Sequence, residues 1–189
     1  MEQTPVQKLA RILWMMAIAA FACNIVVLFF VPGLAMMKGL SGLTPYENPP
    51  EFPARLLVVF ALCWSPEYWA FAEEPYAAVL ALFLLFCGVC TAVILWQGKR
   101  VLDTILKGNP FVMDNAKSMK RAAVCCFLIS GAALLRLIWG FAYYRSVAPI
   151  LTYNALFVPV FLMAGLLCMV MSALFRQAAG LKAENDLTI

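Results

Sequence analysis

The sequence contains no histidine. That absence removes the commonest general base, proton shuttle and metal ligand available near neutral pH. Charge is scarce too: 13% of the 189 residues are Asp, Glu, Lys or Arg, about half the share of an ordinary soluble domain. What takes their place is apolar, at 65% of the chain. A chain this short builds one core at most, and one core cannot absorb four separate runs of about twenty apolar residues. Lipid is the solvent those runs require.

The runs are Leu9–Val31, Tyr76–Trp96, Ala122–Tyr144 and Tyr153–Phe175, and none contains an Asp or a Glu. At 1.5 Å per residue each makes a helix of about 30 Å, the hydrocarbon thickness of a bilayer. The first run is too long for the apolar core of a signal peptide. Although Ala20-Phe21-Ala22-Cys23 resembles a lipoprotein cleavage box, apolar residues continue past it to Phe30. The expected fold is therefore an all-α integral membrane protein, a four-helix transmembrane bundle.

Orientation follows from the cations between the runs. Lys8, Arg11, Lys99, Arg100, Lys107, Lys117, Lys120, Arg121, Arg176 and Lys182 fall on one side, against Lys38, Arg55 and Arg145 on the other. Ten against three places both termini in the cytoplasm. The outward segment 32–75 is too long for a simple connection, and its seven prolines oppose one long regular helix. It is expected to form a small extracytoplasmic loop domain, a cap with interfacial aromatics Trp64, Tyr68, Trp69 and Phe71. The inward segment 97–121 reads as helix, turn, helix: Gly108 caps the first, Asn109-Pro110 forbids continuation, and Asp114 is placed to N-cap the second. Residues 176–189 form a cytoplasmic tail.

Few residues carry a chemical suggestion. Arg136 is the one charge deep within a run, Arg11 lying only two residues from the start of the first, and it sits about 12 Å from the outer end at Tyr144. Two readings stand: it anchors the cap to the bundle through Glu67, Glu73 or Glu74, or it lines a transport or ligand path. Six of the seven cysteines lie in apolar runs, Cys63 being the exception. Cys87-Gly88-Val89-Cys90 has redox or metal spacing but lacks both a nearby cation and a second pair, so the cysteines read as small packing residues. Ala122, Cys126 and Ser130, like Ala164, Cys168 and Ser172, make small-residue stripes that let helices approach, within one chain or across a homo-oligomer. The cations between runs two and three adjoin the membrane without interleaved aromatics, which suits anionic headgroups rather than nucleic acid.

Two stretches carry a resemblance. Val101 through Gly108-Asn109-Pro110-Phe111, followed by Asn115, Lys120 and Arg121, resembles the G-x-P-F...N signature of the DUF2975 family of small multi-pass bacterial membrane proteins. The ending Phe175-Arg176, then Leu181-Lys182-Ala183-Glu184-Asn185-Asp186-Leu187-Thr188-Ile189, is similar to that family's closing E-x-D-L-T-I tail. The resemblance implies a bacterial inner-membrane location and no established activity. It further implies, by association, a role alongside small helix-turn-helix regulators.

Both motifs share a membrane-adjacent cytoplasmic address. Phe111 is an apolar knob suited to docking among helix ends, while Asp186 or the Ile189 carboxylate is placed to pack on the basic turn or meet a cytosolic partner. With no nucleophile and base pair, no metal cluster and no cofactor motif, the chain reads as non-enzymatic. Sensing, signalling or regulator tethering through the cytoplasmic face is the first functional reading. A small transporter, or an accessory subunit using a path near Arg136, is the alternative.

Overall fold

The computed structural model describes residues 5–40, 75–145 and 153–186. They form four helices: α1 (Pro5–Leu40), α2 (Pro75–Leu106), α3 (Met113–Tyr144) and α4 (Tyr153–Asp186). All four are long and apolar enough to cross a membrane, and no strand occurs among the described residues. The protein is an all-α, multi-pass membrane protein. Segment 41–74, with most of the expected cap and its carboxylates, lies outside the described residues.

Each helix overruns its apolar run. At 32 to 36 residues the helices are about 50 Å long, against a hydrocarbon core of about 30 Å. α1 does not stop at Val31 but continues through Pro32 to Leu40. α2 runs ten residues past Trp96, α3 begins nine before Ala122, and the expected tail is helical through Asp186. Good helix formers such as Leu, Lys, Gln and Ala carry the extensions of α3 and α4, and past Gly98 nothing stops α2 before Gly108.

The chain divides into two units, Met1–Ala22 with Cys90–Ile189, and Cys23–Val89. In the larger unit α3 is packed along α4. Ala122, Ala123, Cys126, Ile129, Ser130 and Ala133 form its buried face, recurring at the helical spacings of three and four. The small-residue stripes meet within one chain, and polar atoms fasten them at two levels. The Ser130 hydroxyl donates to the Val158 carbonyl at 2.9 Å, just before the in-helix Pro159, and the Ser172 hydroxyl donates to the Ala116 carbonyl at 2.7 Å. Between them Gly165 admits the Phe127 ring so closely that an added Cβ would lie 2.6 Å from it. In the smaller unit Gly88 of α2 takes the side chain of Leu28 of α1, leaving no room for a Cβ.

Candidate functional site

The α2–α3 hairpin is the site that the fold builds with most care. α2 ends because Gly108 has φ +75°, a conformation L side chains resist. Its N–H donates to the Ile105 carbonyl at 3.0 Å and the Asn109 N–H to the Thr104 carbonyl at 3.0 Å, the paired bonds of a Schellman ending. Pro110 then excludes a further turn.

Asn115 holds the far side of the turn. It is 2% exposed and, with Ile129, among the largest fully buried side chains. Both hydrogens of its amide are used: Nδ2 donates to Thr104 Oγ1 at 2.6 Å and to the Pro110 carbonyl at 2.7 Å. Thr104 Oγ1 in turn donates to the Val101 carbonyl at 2.7 Å. A polar side chain this deeply buried is stable only when so satisfied. Asn115 thus ties the last turn of α2, the connecting loop and the first turn of α3 into one piece.

Two further helices brace the hairpin. From α1, Trp14 Nε1 donates to Asp103 Oδ1 at 2.7 Å, while Lys99 Nζ meets Asp103 Oδ2 at 3.3 Å. The same ammonium lies 5.2 Å from the Trp96 ring centre and 6.0 Å from that of Trp14, within cation–π range. Phe21 packs on Trp96 at 5.8 Å. From α4, Lys182 Nζ donates to Asn109 Oδ1 at 2.7 Å.

The structure therefore brings Gly108, Pro110, Phe111 and Asn115 together and gives three of them structural duties. Phe111 is different: it stands 49% exposed, with Met113 at 45%, and is not docked among the helix ends. Asp114 is not the N-cap either. Val112 occupies that position without a side-chain bond, and Asp114 pairs with Lys117 at 3.3 Å. Among the described residues Lys182 of the tail reaches the turn, and the expected contact through the Ile189 carboxylate lies outside them. Glu184 is exposed on α4, Asp186 closes that helix, and Leu187, Thr188 and Ile189 lie outside the described residues. Arg136 is not part of this site: it is half-buried on α3, 21 residues from Asn115, or about 30 Å along the helix. It has a partner in the structure.

Sequence reasoning missed Trp14, Lys99, Asp103, Thr104 and Lys182. Asp103 carried the one available signal, a carboxylate four residues after Lys99 amid cations, but its partner Trp14 lies 89 positions away. The cysteines hold a second surprise. Cys90 lies beside Cys125 across α2 and α3, and Cys126 beside Cys168 across α3 and α4. These described thiols are free, and no three metal-ligating side chains converge among the described residues.

Neither a curated protein nor a solved structure matches this chain. A family profile described as a protein of unknown function, DUF2975, matches residues 54–189. The match takes in the whole hairpin, its Asn115 lock and α4, and leaves α1 outside. On that match, which covers well over half of its length, the chain belongs to the DUF2975 family.

Proposed function

We propose that this protein is a non-enzymatic bacterial inner-membrane protein that works through its cytoplasmic end, docking a cytosolic regulator on the α2–α3 hairpin. The ten-to-three distribution of cations supports that orientation. The observation that carries the reading is a contrast within the hairpin. Asn115, Thr104, Gly108 and the Trp14–Asp103 bond hold its backbone rigidly, yet Phe111 and Met113 at its tip stay exposed. A rigid support under an exposed aromatic is how binding surfaces limit the entropy lost on association.

A small helix-turn-helix regulator is the partner class that the family resemblance suggests. The test is affinity capture from native membranes with the wild-type chain and with Phe111→Ser. Burying a Phe side chain is worth about 1.5–3 kcal/mol, so retention of a DNA-binding regulator should fall at least about tenfold in the variant, at unchanged thermal stability. Equal capture by both chains, or capture of a permease or ATPase in its place, overturns the reading.

A further inference from the structure

We propose that the cations flanking the hairpin form a collar that binds anionic phospholipid headgroups, selecting them over zwitterionic ones. The argument starts from the faces on which the cations lie. On α2 the exposed positions Val93 and Trp96 are followed at the next steps of that face by Arg100 and Lys107, both exposed. On α3 the exposed Leu128 and Val124 lead to Arg121, Lys120 and Lys117 at the same helical spacing. In a membrane protein these apolar faces meet lipid. Arg100, Arg121, Lys120 and Lys117 continue the lipid-facing stripes, while Lys107 stands at the C-terminal end of α2.

Depth agrees with direction. Trp96, an aromatic of the kind that settles at the membrane interface, is one turn from Arg100, about 6 Å along the axis. That places the guanidinium at the level of the phosphates. An acidic protein or a nucleic acid would have to enter the headgroup layer to reach it, whereas a phosphodiester is already there. Guanidinium groups also match phosphate oxygens in bidentate geometry.

The acids of the hairpin's own two helices, Asp103 and Asp114, do not offset these charges. Asp103 is engaged by Trp14 and Lys99, and Asp114 by Lys117. Arg100, Lys107, Lys120 and Arg121 have no ion pair among the described residues. The collar therefore presents uncompensated positive charge at the boundary of a low-dielectric phase, where an anionic headgroup neutralises it.

The test uses the full chain in vesicles of equal parts phosphatidylcholine and phosphatidylglycerol, extracted gently, with retained lipid quantified by mass spectrometry. Phosphatidylglycerol should be enriched over phosphatidylcholine, and enrichment should fall about fivefold for each cation removed in the series Arg100→Gln, Lys120→Gln, Arg121→Gln. Molar salt should lower it in the unmodified protein, a measurement that does not depend on the variants folding. Retention of the two lipids in their bulk ratio by the wild type overturns the proposal, as does a folded triple variant with undiminished enrichment. Regulator capture depends on Phe111 and not on these cations, so the two readings fail separately.

Discussion

The substitution Asn115→Asp tests how the hairpin is held. The new side chain has nearly the same shape, so packing is kept and the two donors are lost. In the native hairpin those donors reach Thr104 Oγ1 at 2.6 Å and the Pro110 carbonyl at 2.7 Å, and two such bonds contribute about 2 kcal/mol. The introduced carboxylate would also face the Pro110 carbonyl oxygen from a site only 2% exposed, which adds about 2 kcal/mol of desolvation. The charged form is thus destabilised by about 4 kcal/mol. Protonation restores one donor and reduces the loss to about 1–2 kcal/mol.

Burial raises the pKa of the introduced carboxyl in the folded state above its unfolded value near 4. A raised folded pKa means that the stability linked to the proton is fully present below about pH 4 and is lost as pH climbs through the folded value. The deficit of the variant therefore widens from about pH 4 to about pH 8. Thermal unfolding in neutral detergent, followed by tryptophan fluorescence, measures it. At about 2–4 °C per kcal/mol for a chain of this size, the midpoint falls by about 10 °C near pH 8 and by a few degrees near pH 4. A variant with the wild-type midpoint near pH 8, or with a deficit that ignores pH, refutes the reasoning.

Three further experiments probe the same architecture. Gly108→Ala meets no atom within 4 Å, so its cost of about 1–2 kcal/mol is purely the left-handed backbone; Gly108→Asn should recover part of that in the same melt. A double-mutant cycle on Trp14→Phe and Asp103→Asn should give a coupling of about 1 kcal/mol, reduced from the usual value for a charged acceptor because the Asp103 side chain is 34% exposed; additive losses would show that the bond contributes nothing. Gly165→Ala drives a Cβ to 2.6 Å from the Phe127 ring and should cost about 1–3 kcal/mol, with Phe127→Leu restoring much of it; an unperturbed melt for the single variant contradicts the close α3–α4 approach.

What the sequence determined by itself was whatever depends on composition and local chemistry. The all-α membrane fold was legible because apolar runs the length of a bilayer leave the chain no other solvent. The ending of α2 was legible because Gly108 and Pro110 act on their own backbone, whichever fold surrounds them. Tertiary structure decided the rest. Asn115 was visible as part of a motif, but its two-way bond to Thr104 and Pro110 required α2 and α3 to be folded onto each other. Asp103 looked like one acid among cations until α1 brought Trp14 to it. Phe111 was legible as an apolar knob beside the turn, but that it stands half-exposed at the tip and not packed among this chain's own helix ends was decided by the tertiary fold. A contact between residues far apart in sequence depends on which faces two helices turn toward each other. Uniformly apolar spans record little of that, since lipid and a neighbouring helix accept the same side chains.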